Sequence, residues 1–167
     1  MVLDDKLRTN ALAKYFISLG ALIAGAGTLA AAPANDNFAN RIPLRSLIVT
    51  TVGSNVGATA ESGEPNHLVG RTARSSVWWS WTAPASGVAI ITTVGSSFDT
   101  VLAVYTGTAV ASLTQIASDD NSGGGTASRV TFTATQGASY QIAVDRRSTP
   151  TGNIVLNVQG SNAVSTQ

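Results

Sequence analysis

Ser75-Ser76-Val77-Trp78-Trp79-Ser80-Trp81-Thr82-Ala83-Pro84 contains every tryptophan of this 167-residue chain. The run follows a polar stretch, is rich in aromatic and β-favouring residues, and stops at a proline, so it predicts a strand. Strand side chains alternate between faces. Val77, Trp79 and Trp81 point one way, and Trp78, Ser80 and Thr82 the other. Two indoles on one face predict the core of a sandwich. The third, on the opposite face, needs a cover of its own or a ligand.

Working outward, strand candidates recur at short spacing with turn residues between them, the pattern of a sandwich or barrel. Ile48 to Val52 precedes a long loop from Gly53 to Arg74 that holds Glu61-Ser62-Gly63-Glu64-Pro65-Asn66-His67. After the tryptophan strand come Val88 to Val94, where Val88, Ile90 and Val94 share a face, and Thr100 to Thr106, with Leu102 and Val104 opposite Tyr105. Leu113 to Ser118 is a shorter candidate. Past the loop Asp119-Asp120-Asn121-Ser122-Gly123-Gly124-Gly125, three strands alternate cleanly. Their inward sets are Val130, Phe132 and Ala134; Tyr140, Ile142 and Val144; and Ile154, Leu156 and Val158. No helix-period segment and no internal repeat follows residue 40.

The first residues have the order of a secretory leader. Lys6, Arg8 and Lys14 precede the apolar Tyr15–Ala24, and small residues lead to Ala32-Pro33-Ala34. This divides the chain into a signal peptide over 1–34, a domain over 35–160 and a polar tail over 161–167. Cleavage after Ala34 is expected, and an uncleaved membrane anchor is the alternative. Contact with the membrane is expected only through the signal peptide before cleavage. The mature chain has seven arginines and seven acidic residues and no cysteine, and both lysines lie in the leader. It offers nucleic acid no basic patch. It cannot form a lysine–asparagine staple, and its core must hold it without disulfides.

Several of these segments occur together in one known family. Asn35-Asp36-Asn37-Phe38-Ala39-Asn40, the Glu61–His67 loop, Ser76–Pro84, Ser97-Phe98-Asp99-Thr100-Val101-Leu102-Ala103-Val104-Tyr105-Thr106-Gly107, and Asp119-Asp120 followed by Ser128-Arg129-Val130 resemble the bacterial pre-peptidase C-terminal domain. The resemblance spans Asn35 to Gln159. It implies an all-β, jelly-roll-like antiparallel sandwich that serves as an accessory module for binding, targeting or secretion, not as an enzyme. Related collagen-binding modules hold calcium. Here the domain stands without a catalytic neighbour, which favours binding or self-association.

Three constellations bear on function. Asp99, Asp119, Asp120 and Asn121 are hard-oxygen donors suited to calcium, and equally suited to Asx turns that bond their own backbone. Glu61, Glu64 and His67 are the nearest approach to acid/base or zinc chemistry, but the single histidine lacks a second nitrogen or sulfur ligand, and no nucleophile elbow is present. Folding the long loop against the tryptophan strand is the simpler role. Trp78 and Tyr105 form a possible stacking platform for sugar rings or peptide side chains, unless the long loop covers them. Arg146 and Arg147 are expected to be solvated turn charges. The expected function is a secreted, non-catalytic module that binds an extracellular glycan or protein at the cell surface or in the matrix. The alternative is a filament or coat subunit that pairs with copies of itself through Asn35–Leu44.

Overall fold

The computed structural model describes residues 30–162. Residues 1–29 of the expected leader and the end of the tail lie outside the described residues. Among the described residues nine strands form two stacked sheets: β1 (Ile42–Leu44), β2 (Ile48–Ser54), β3 (Val77–Thr82), β4 (Gly87–Thr92), β5 (Thr100–Thr106), β6 (Thr114–Asp119), β7 (Arg129–Ala134), β8 (Ser139–Arg146) and β9 (Asn153–Gly160). The five-stranded sheet runs β1-β3-β8-β5-β6 and the four-stranded sheet β2-β9-β4-β7. The only helical pieces among the described residues are 3-10 turns at Phe38–Asn40 and Val110–Ser112. The sandwich is antiparallel as expected, apart from one pair. The short β1 lies parallel to β3, with Ile42 beside Trp79 and Leu44 beside Trp81.

Alternation puts Val77, Trp79 and Trp81 between the sheets, all fully buried. They meet Ile142 and Val144 of β8, Leu102 and Val104 of β5, and Ile154, Leu156 and Val158 of β9. Trp81 donates its indole N–H to the Ser46 carbonyl at 2.9 Å. Gly53 of β2 lies so close over Trp79 that a Cβ there would come within 2.9 Å of the indole ring. Burying the apolar faces of two sheets in this way is the main favourable contribution to folding in a chain without disulfides.

In β4 the expected set keeps together on one face, and that face is the outer one. Ala89 and Ile91 are fully buried, while Val88 and Val94 are half exposed. The set Val88, Ile90 and Val94 therefore faces outward. Ile91 sits between Val130 of β7 and Val158 of β9, and that register decides the face.

Candidate functional site

The outer side of the five-stranded sheet is not bare. Trp78 and Tyr105 point there, as alternation predicts, yet both have no exposed surface. With Phe38, Ala103 and Ala143 they form a second apolar cluster. Phe38 meets Trp78 edge-to-face at 5.2 Å, and His67 meets it at 5.4 Å. Trp78 and Tyr105 thus have no face free for a ligand, and the stacking platform is ruled out in this conformation. The loop that follows β2 and the residues before β1 provide the cover.

Polar groups hold that cover down. His67 Nδ1 is 2.8 Å from the Tyr105 hydroxyl, and its Nε2 is 2.8 Å from Glu64 Oε1. The same carboxylate oxygen accepts a hydrogen bond from the Ser76 hydroxyl. Glu64 Oε2 accepts from the Glu61 backbone N–H, and Glu61 Oε2 accepts from the Phe38 N–H. Burial, followed by the nearby charges of Glu64 and Asp145, pushes the Tyr105 hydroxyl well above its ordinary range. A chain of satisfied polar groups in a low-dielectric setting fixes geometry, and an unsatisfied one would be costly. Ser76 meets the carboxylate and not the imidazole, so the order of groups differs from the serine–histidine contact of a nucleophilic triad.

Residues 35–44, which the alternative filament reading would send to a neighbouring molecule, are used within the chain. The Asn35 carbonyl accepts from the Trp78 N–H at 2.9 Å, and Asn35 Nδ2 donates to the Trp78 carbonyl at 3.0 Å. Asp36 accepts from the N–H and hydroxyl of Thr59.

The four oxygen donors expected for calcium separate into two groups. Asp119 Oδ2 accepts from the backbone N–H groups of Ser122 and Arg129, and its Oδ1 from the Ser122 hydroxyl. Burial alone would raise this carboxyl, but those bonds outweigh it and hold the carboxyl below its usual range. Asn121 is exposed in the same turn, where its carbonyl accepts from the Gly124 N–H. Asp99 and Asp120 do come together, around an arginine. Arg147 Nε donates to Asp120 Oδ2 at 2.5 Å, and the Arg147 N–H donates to the Asp99 carbonyl at 2.8 Å. Burial and then the Asp120 charge push the Asp99 carboxyl up. The Arg147 guanidinium supplies Asp120 with the positive charge that a calcium ion would bring. Among the described residues no three His, Cys, Asp or Glu side chains converge as a metal site. Asp99 Oδ1 and Asp120 Oδ1 are left without a hydrogen-bond partner, but the four expected donors do not gather at one point.

A concavity lies at the end of the sandwich where the long loop meets β8. His67, Leu68, Arg71, Arg74, Asp145 and Arg146 help to line a shallow, open cleft. Asp145 is buried, and its carboxylate is consumed by backbone N–H groups of Arg74, Ser75 and Arg146 at 2.7–2.9 Å. Arg71 donates to the Arg147 carbonyl at 2.7 Å, and Arg146 Nε to the Ser75 hydroxyl at 3.0 Å. Arg74 makes no side-chain hydrogen bond among the described residues. Three guanidiniums against one internally satisfied carboxylate leave the cleft positive. Arg146 is thus a cleft residue, not a free turn charge. No sequence signal marked this site, because its members come from separate segments.

No family model matches this chain, and no curated protein matches it. Several solved structures are similar to it. The pre-peptidase C-terminal domain of collagenase from Bacillus anthracis is 15% identical with a TM-score of 0.45, over 71% of this chain and 96% of that one. PliG from Aeromonas hydrophila, a periplasmic inhibitor of g-type lysozyme, is also 15% identical with a TM-score of 0.45, over 71% and 95%. The Yersinia pseudotuberculosis-derived mitogen is 13% identical with a TM-score of 0.41, over 72% and 91%. Likeness at that level says nothing about ligand or partner.

Proposed function

We propose that this chain is a secreted, non-catalytic binding module of the cell surface or extracellular matrix, and that its loop-end cleft takes an acidic group carried by an extracellular glycan. The observation that carries this reading is the arrangement of Arg71, Arg74 and Arg146 around a carboxylate already spent on backbone N–H groups. Guanidiniums match carboxylates and sulfates in a planar, two-point geometry. The cleft is shallow and open, with none of the enclosed volume of a small-molecule pocket, so it suits one ionic group of a longer chain. The long loop that supplies Arg71 and Arg74 is anchored by the Glu64–His67–Tyr105 chain, which presents the cleft ready-formed.

Binding of the purified chain to heparin and polygalacturonate, beside neutral dextran, tests this. Retention on the acidic polymers should fall as salt rises, and Arg71→Ala with Arg74→Ala should abolish it. Equal retention on dextran, or full retention by the double variant, would overturn the reading. Binding only to an acidic protein would replace the glycan and keep the cleft.

A further inference from the structure

Each sheet ends in two outer strands, β1 and β6 in one and β2 and β7 in the other. Unpaired strand edges invite other strands, and proteins guard them with proline, charge, bulges or short length. Three of these edges are guarded. β1 is three residues long and carries Pro43 at its centre. The ladder between β5 and β6 is broken by a bulge between Val104 and Tyr105, and β6 ends on Asp119. β7 opens on Arg129.

β2 has no such device. Ile48-Val49-Thr50-Thr51-Val52-Gly53-Ser54 has five consecutive β-branched residues, no charge and no proline. Its register against β9 runs unbroken from Ile48 opposite Gln159 to Ser54 opposite Asn153. Among the described residues nothing pairs with its other edge. Its outward side chains Ile48 and Val52 are 69% and 72% exposed.

We propose that β2 is a docking edge for a second copy of this chain, with two β2 strands pairing antiparallel about a twofold axis at Thr50. The strand itself argues for that occupant. In this register Ile48 lies opposite the partner's Val52 on the exposed face, the contact occurs twice, and Thr50 faces the partner's Thr50. Directly opposed apolar and threonine pairs are favourable units of sheet pairing. The strand carries no charge, so a copy meets no repulsion. The contact is isologous and consumes both free β2 edges, so the assembly closes at two. A polymer would need a second unguarded edge, and the described residues offer none.

Sedimentation of the purified chain at micromolar concentration should give a dimer. Thr50→Lys and Thr50→Glu should each sediment as monomers with the parent's circular dichroism, because like charges then sit directly opposite. An equimolar mixture of the two should restore a dimer through opposite charges at the same position. Thr50 also donates a hydrogen bond to Asn157 at 2.9 Å. Thr50→Ser, which keeps that hydroxyl, should remain dimeric and so separate loss of this bond from the effect of charge. A monomeric parent, a Thr50→Lys variant that stays dimeric, or a mixture that stays monomeric would each overturn the proposal. So would a monomeric parent that captures a strand of some other protein.

Discussion

Trp78 packs against Phe38, His67 and Tyr105 outside the main core, so its loss should matter as much as that of a tryptophan between the sheets. Trp78→Ala is expected to cost about 3–5 kcal/mol, the range for a buried Trp→Ala change, and Trp79→Ala a similar amount. Urea unfolding followed by tryptophan fluorescence measures both. A loss under about 1 kcal/mol for Trp78→Ala would mean that the loop does not close over it. Tyr105→Phe tests the polar half of the same cluster. It strips His67 Nδ1 of its 2.8 Å partner and should cost about 1–3 kcal/mol, the penalty for a buried group left unpaired. The hydroxyl has a further consequence at high pH. Its folded value lies above its unfolded one, so its contribution to stability is complete below about pH 10, the ordinary tyrosine value, and is lost as pH rises further. Alkaline unfolding should therefore begin near that point, and Tyr105→Phe should flatten it.

At the scale of elements, the turn from Asp119 to Arg129 behaves in the opposite direction. Hydrogen bonds hold the Asp119 carboxyl low, so its contribution is present above the unfolded value of 3.8 and is lost as pH falls through the folded one. Asp119→Asn should flatten the acid limb of the stability curve, as thermal melts between pH 2 and 6 will show. Millimolar calcium should leave the melting temperature of the parent unchanged, because Arg147 already accompanies Asp120. A calcium-dependent rise that EDTA reverses would contradict that arrangement. The segment 35–44 is also a folding element. Removing it uncovers Trp78 and the edge of β3, so the shortened chain should melt well below the parent. The strands Val77–Thr82 and Thr100–Thr106 were legible in the sequence because a single apolar set alternates on each inner face. The inner face of β4 was not legible, because Val88-Ala89-Ile90-Ile91 offers an apolar residue on both faces, and only pairing with β7 and β9 selects between them. β1 was missed because Ile42-Pro43-Leu44 is short and holds a proline, which argues against a strand everywhere except at an edge. The arginine cleft was not legible at all, since Arg71 and Arg146 are neighbours only after β3 and β8 have paired.

For the molecule as a whole, the two sheets assign different work to their outer faces. The five-stranded sheet buries its outer face under the long loop, and that loop builds the cleft. The four-stranded sheet leaves Ile48, Val52 and Val88 in water. If β2 pairs with a copy, the two clefts become parts of one bivalent particle. A glycan chain that reaches both would then be held far more tightly than by either alone, through effective concentration rather than new contacts. Dimer-blocking Thr50→Lys should accordingly weaken retention on a long acidic polymer and spare binding of a short oligosaccharide, as titration of the two ligands will show. The order of strands has a consequence in time. β9, the last strand among the described residues, is interior to its sheet, with β2 on one side and β4 on the other. A chain that emerges N-terminus first holds those two strands with a gap between them until residues 153–160 appear. Residues 153–160 thus act as the bolt of the four-stranded sheet, which stays open until they are made.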